Sequence, residues 1–254
     1  VSPSATAAPA LESIADDIQS WRKAQKLAEE GASLADQQKL QEARERLRAA
    51  LELDAHHAQA QTELARVLFR EKSFAEAEAL LRASLAATPD AALPRLTLAT
   101  AYLAGNYYSN ALAVARWILE DDPYSVEAHG VAANALLGLD DPAQAIVHLR
   151  RLVTLNRDDL TAQNNLGVTL MKVQDFKTAQ ATFREILRAD ANNSVAFYNL
   201  AVCHAKQGNV MDAVDTLSTA AEKFGNGFVL TWTQSGDFDA IRSEDFENRM
   251  KTWE

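Results

Sequence analysis

Two pairs of side chains in this sequence have the right atoms for catalysis or metal binding. Cys203 and His204 supply a thiol and an imidazole, and His56 and His57 supply two more imidazoles. A thiolate nucleophile needs its base within hydrogen-bond reach, however, and neighbours on a helix point about 100° apart. Cys203–His204 therefore does not form a direct catalytic pair. His56–His57 falls in a break between apolar-periodic segments, with neither an i, i+4 partner nor a third ligand at metal spacing, so no metal is expected. The acid pairs Asp121-Asp122, Asp140-Asp141 and Asp158-Asp159 also lie in such breaks, where helix capping and solubility are their ordinary uses. The chain has no G-x-S-x-G elbow, Walker loop or dinucleotide-binding glycine pattern. These residues predict a non-catalytic chain with no cofactor.

The elements that carry these residues are predicted to be helices. In 254 residues, 48% are hydrophobic and 24% charged, enough to bury a core. Only 9 Gly and 6 Pro occur, and no β-branched run alternates with polar residues as a sheet requires. A net charge of −10 without a basic run argues against nucleic acid or an anionic membrane surface as partner. No apolar stretch approaches the ~20 residues of a transmembrane helix. The lone Cys203 excludes an internal disulfide and leaves the redox compartment open. Residues 1–10, VSPSATAAPA, read as a flexible tether of small residues. A processed N-terminus behind a leader or lipid anchor would account for it, as would a trimmed chain. The first reading carries the expectation of a periplasmic or envelope-tethered protein, with a cytoplasmic one as the alternative.

A 34-residue period organises the rest. Ala43, Ala77, Ala111, Ala145, Ala179 and Ala213 share one column, and the small residues Gly31, Ala65, Ala99, Ala133, Gly167 and Ala201 stand twelve positions earlier. Four positions after the alanines come Leu47, Leu81, Ala115, Leu149, Phe183 and Leu217. Within each period apolar residues recur at 3, 4 and 7, pause at a short polar break and resume, the pattern of two amphipathic helices joined by a tight turn. Ser73-Phe-Ala-Glu76 fits a capping box, and Asp141-Pro142 places an N-cap before a first-turn proline. Leu11, Ile14, Ile18 and Trp21 make a further apolar stripe that predicts a helix covering the first unit. GNGFVLTWTQ reads as a turn and an extended piece. GDFDAIRSEDFENRMKTW reads as a short helix, a Ser243 cap and a last helix presenting Ile241, Phe246, Met250 and Trp253.

The period, the small and alanine columns, the aromatic at Phe74, Tyr108 and Phe176, and Asn165-Leu-Gly167 resemble the tetratricopeptide-repeat (TPR) family. The resemblance implies an all-α, α-α superhelix (a TPR solenoid). Its six repeats would be 24–57, 58–91, 92–125, 126–159, 160–193 and 194–227, after a cap at 11–23 and before a C-terminal cap at 228–254. Repeat one departs at Glu30 and repeat four at Ala132, where the others carry Leu64, Leu98, Leu166 and Leu200. The tryptophan common early in the family's first helix is replaced by Gln61, Arg95, His129, Gln163 and Phe197, an expected loss of interhelix packing. His204, in the column of Leu68, Tyr102 and Leu170, is expected to be a packed structural histidine.

Such arrays bind protein or peptide partners on a concave wall built from the first helix of each repeat. By resemblance, that wall here comprises Arg66, Phe69, Arg70, Leu96, Leu103, Asn134, Leu137, Asn164, Asn165, Val168, Met171, Lys172, Tyr198, Asn199 and Lys206. Thr62, Leu93, Thr100, Gly130 and Val202 fall on the same face. Arg66/Arg70 and Lys172/Lys206 would flank an apolar strip, and asparagine amides would hold a peptide backbone. The Lys/Asn set with which family members clamp chaperone C-termini is absent: the matching helices offer Thr62/Arg66, Thr97 and Glu127/Val131. The resulting expectation is a non-catalytic interaction scaffold that assists assembly of a larger complex, with self-association a further expectation. The alternative is a substrate-recruiting or regulatory arm of a longer enzyme.

Overall fold

A computed structural model describes residues 8–88 and 91–253. It divides into two compact units, Val1–Val131 and Ala132–Glu254. Among the described residues there is no strand.

Unit 1 is built from consecutive helix pairs: α1 (Ala8–Asp36) with α2 (Leu40–Leu53), α3 (Ala58–Arg70) with α4 (Phe74–Ala87), and α5 (Ala92–Ala104) with α6 (Tyr108–Asp121). Ala43, Ala77 and Ala111 are fully buried. Gly31 lies under its partner helix so tightly that a Cβ there would sit 2.6 Å from Leu47 Cγ. The small columns are thus contact points between paired helices.

α1 runs unbroken through the span that the sequence pattern divides into a cap and a first repeat helix. Its buried residues are Ala24, Ala28, Gly31 and Ala35, while Ile18 is 45% and Trp21 54% exposed. The stripe expected to cover the first unit is therefore uncovered at these two positions. α2 has 14 residues, or about 21 Å of helix. Antiparallel to α1, it reaches back only to about Lys23. The side chains of Leu11 and Ile14, and residues 1–7 of the tether expected at 1–10, lie outside the described residues; Ala8 to Ala10 of that stretch are helical and begin α1.

α7 (Val126–Gly138) contains the division between the units. Unit 2 continues with α8 (Pro142–Leu155), α9 (Leu160–Lys172), α10 (Phe176–Ala189), α11 (Ser194–Lys206) and α12 (Val210–Phe224). Ala145, Ala179 and Ala213 are again fully buried. A Cβ on Gly167 would lie 2.6 Å from Phe183 Cε1 and Cζ.

Every first helix ends in the same way. Gln38, Lys72, Asn106, Asp140, Gln174 and Gly208 have φ between 58° and 74°, and the next residue donates its N–H to the carbonyl five residues back, as in Ser73 to Leu68 (2.8 Å) and Asp175 to Leu170 (2.9 Å). This is the Schellman closure, here tolerating five non-glycine residues in the left-handed region. Asp141, Asp159 and Asp175 accept cap hydrogen bonds from Gln144, Ala162 and Thr178 N–H. Ser73 makes no side-chain cap bond, so the expected capping box is not formed; Glu76 instead meets Arg48 at 3.0 Å.

The residues in the tryptophan column have a specific role. Gln61 donates to Ala55 O (2.8 Å), His129 Nε2 meets Pro123 O (3.1 Å), and Gln163 donates to Arg157 O (2.6 Å). In each case the side chain reaches back six residues and pins the loop before its own helix. Arg95 is buried over the Trp117 ring, 3.9 Å from its centroid, and pairs with Asp121. Where the tryptophan's packing is expected to be lost, these side chains make loop-holding contacts instead.

The C-terminal segment departs from the extended reading. Asn226–Thr233 is a helix, α13, followed by a 3₁₀ turn at Gly236–Ile241 and α14 at Glu244–Lys251. Phe224, Phe228 and Trp232, four residues apart, form an edge-to-face ring series, and Val229 is fully buried. Helical spacing brings Phe228 to Trp232, and the chain reversal at Gly225 (φ 92°) sets Phe224 of α12 against both rings; these contacts outweigh the strand preference of FVLTWT. Ser243 caps α14 by accepting from Phe246 N–H, and Ile241, Phe246 and Met250 are buried.

Candidate peptide-binding face

The strongest convergence lies in unit 2, on the exposed side of α9 and α11. Val168, Met171, Lys172, Asn199 and Lys206 line one cavity of about 530 Å³, together with Gln174 and Phe176 from the turn and start of α10. Its floor is apolar and its margin holds two ammonium groups and an amide. Lys172 has no carboxylate at ion-pair distance among the described residues.

The neighbouring polar residues are committed to one another. Asn199, 9% exposed, donates to Asn164 Oδ1 at 3.0 Å, so these two amides brace α11 against α9. Asn165 is exposed, and its carbonyl accepts from the Thr169 hydroxyl at 2.6 Å. Val202, placed on the apolar strip by resemblance, is 3% exposed and belongs to the core. On α7, Asn134 is exposed and Leu137 half-buried.

The 3₁₀ turn brings a carboxylate to this face. Asp237 accepts from the Tyr198 hydroxyl at 2.6 Å and meets Lys206 Nζ at 3.4 Å. Burial and this hydrogen bond hold the Tyr198 phenol above its ordinary pKa. Tyr198 also borders a second cavity, of about 460 Å³, with Val195, Phe228 and Trp232. The sequence reading did not single out Asp237, Gln174 or the cavity role of Phe176. No repeat column signals Asp237, because it lies beyond the last period.

In unit 1 the predicted cations are occupied by the chain itself. Arg66 pairs with Glu63 at 2.7 Å and Asp36 at 3.9 Å, and Arg70 donates to Ala35 O at 2.7 Å near the end of α1. Phe69 packs edge-on against Phe74, ring centroids 5.3 Å apart. Thr62 is buried, bonded to Ala58 O and Ser84. Leu96 borders a separate cavity of about 410 Å³ with Leu93, Arg95 and Asp121. Leu103 is half-buried, Thr100 is exposed, and a Cβ on Gly130 would meet nothing within 4 Å.

The catalytic candidates are placed as structure. Cys203 is fully buried, and desolvation pushes its thiol up to about 12, where no useful thiolate exists near neutrality. His204 is buried between Gln180 (3.3 Å) and Asp212 (3.5 Å); desolvation lowers its pKa against the opposing pull of Asp212. His57 caps α3 by accepting from Ala60 N–H and meets Gln25 at 3.0 Å.

Successive helix-turn-helix pairs define an α-helical repeat fold. Two tetratricopeptide-repeat family models match the chain, over residues 29–92 and 170–227. The protein belongs to the tetratricopeptide-repeat family and is a protein–protein interaction scaffold. No curated protein matches it in sequence. Among solved structures it is similar to pilF of Pseudomonas aeruginosa, with 17% identity, TM-score 0.66, and coverage of 86% of this chain and 96% of that one. It is also similar to YrrB, described as a TPR protein with an unusual peptide-binding site (22%, TM-score 0.61, 72% and 94% covered). A third similar structure is MamA from Desulfovibrio magneticus (16%, TM-score 0.62, 67% and 97% covered).

Proposed function

We propose that the protein captures an extended segment of a partner protein on the α9–α11 face of unit 2 and thereby assists assembly of a larger complex. The observation that carries this reading is the cavity of about 530 Å³, in which Val168, Met171 and Phe176 offer apolar contact beside Lys172, Lys206 and the exposed Gln174 amide. A groove that mixes apolar floor with polar margin suits a peptide, whose side chains fill pockets while its backbone needs hydrogen-bond partners. The description of YrrB as peptide-binding supports the same use of the fold. With Cys203 and His204 locked in the core, the reading is non-catalytic.

The test is selection of a phage-displayed library of random 12-residue peptides on the full chain. Peptides enriched on the wild type should lose at least tenfold in affinity for Met171→Glu, which places a charge on the apolar floor, and bind Val147→Glu unchanged. Val147 is 66% exposed on α8, away from this cavity. Equal binding by both variants would refute the assignment of the face.

A further inference from the structure

We infer that the α9–α11 face takes a peptide carrying an acidic side chain next to an apolar one, and that Asp237 already occupies part of that acid's position. This inference rests on the peptide-capture reading above and names the chemistry of the partner.

In a chain of net charge −10, the cavity margin is formed by two lysines, and no acidic residue lines it. Lys172 has no carboxylate partner among the described residues, and it lines the cavity together with the apolar Val168, Met171 and Phe176. A carboxylate placed there would gain an unshared cation, and an apolar neighbour of it would meet the cavity's apolar side chains.

The second observation is that the chain itself sends an acid to this face. Asp237 reaches it from a segment distant in sequence, one oxygen on the Tyr198 hydroxyl (2.6 Å) and the other toward Lys206 (3.4 Å). The Lys206–Asp237 pair is solvent-accessible, both side chains about 40% exposed at 40% and 42%. An ion pair of that exposure is weak and can be exchanged for another. An incoming acidic side chain would bridge Lys172 and Lys206, with Lys206 released from Asp237 while the Tyr198–Asp237 hydrogen bond persists. Asp237 thus acts as a resident competitor that sets the threshold for capture.

The experiment compares peptides enriched from the random 12-residue phage library on wild type, Asp237→Asn, Lys172→Gln and Met171→Glu proteins, with affinities measured by fluorescence anisotropy at two salt concentrations. Asn at 237 retains an acceptor for Tyr198 and removes the charge. The inference expects Asp and Glu enriched over the input library, binding that weakens with salt, about tenfold loss for Lys172→Gln, and about two- to fivefold gain for Asp237→Asn. Peptides that require Met171 but show no acid enrichment and ignore Lys172→Gln would overturn the acidic-partner inference while leaving peptide capture intact. Acid enrichment with no gain for Asp237→Asn, in a protein whose thermal unfolding matches wild type, would overturn the competitor role. Failure of every peptide to depend on Met171 would overturn the capture reading and this inference together.

Discussion

Gly167 and Phe183 form a test of why the repeats carry a small residue in this column. A Cβ on Gly167 would stand 2.6 Å from two carbons of the Phe183 ring and 3.2 Å from a third, where ordinary contact begins near 3.4 Å. The ring is fully buried among Ala133, Leu149, Leu166, Leu170 and Ile186, so it must shift by nearly 1 Å against packed neighbours. Overpacking of this kind costs about 1–3 kcal/mol. Replacing a mid-helix glycine by alanine returns about 1 kcal/mol of helix propensity. Gly167→Ala alone should therefore destabilise the protein by up to about 2 kcal/mol. The outcome should reverse when Phe183 is leucine, because alanine then faces leucine sixteen residues on, as in Ala65/Leu81, Ala133/Leu149 and Ala201/Leu217. In that background Gly167→Ala should stabilise by up to about 1 kcal/mol, for a coupling energy of about 1–3 kcal/mol. Urea unfolding of the four proteins at 25 °C, followed by far-UV circular dichroism, closes the cycle. A coupling below about 0.5 kcal/mol would show that the column is not set by contact with the second helix.

Three further outcomes follow from the turns, caps and buried imidazole. Lys72 holds φ 63°, so Lys72→Gly should raise stability by up to about 1 kcal/mol, roughly 2–4 °C in melting temperature, and Gly208→Ala at the equivalent turn should lower it, both read by differential scanning calorimetry. Asp141→Ala should cost about 1 kcal/mol because the carboxylate accepts from Gln144 N–H at 3.0 Å, whereas Ser73→Ala, with no cap bond to lose, should stay within about 0.5 kcal/mol in the same urea assay. His204 has a folded pKa below its ordinary 6.5, so the unfolded chain binds the proton more readily. Its contribution is present above 6.5 and is lost as pH falls through that value toward the folded pKa. The urea midpoint should drop between pH 7.5 and 5.5, and the drop should be smaller in His204→Leu, which adopts the residue found at Leu68 and Leu170.

The repeat was legible because its causes are local or strictly periodic. Small residues recur wherever paired helices touch, and a recurrence of 34 residues is visible without coordinates. Gly31 and Gly167 stand in that column where the second helix comes closest, a Cβ there meeting Leu47 or Phe183 at 2.6 Å. The face of α9 was also readable, since a helix of known start fixes which of Asn164, Val168, Met171 and Lys172 share a side. The exceptions were those whose partner is distant in sequence. Arg66 and Arg70 look like free ligands for a partner's acid until Asp36 and the Ala35 carbonyl are found against them. Ser73-Phe-Ala-Glu76 has the pattern of a capping box, but Arg48 draws Glu76 away.

The sequence alone therefore determined the helix pairs, their 34-residue period and the residues through which the pairs touch, because those depend on side-chain size and spacing along one chain. Tertiary structure decided which polar groups remain available. It made a helix of Asn226–Thr233 by giving Phe228 and Trp232 aromatic partners, and it paired Asn199 with Asn164. It also brought Asp237 across to Tyr198 and Lys206 while leaving Lys172 without a carboxylate partner among the described residues. Hydrogen bonds and ion pairs between distant segments obey geometry rather than period, so only the folded chain could show them.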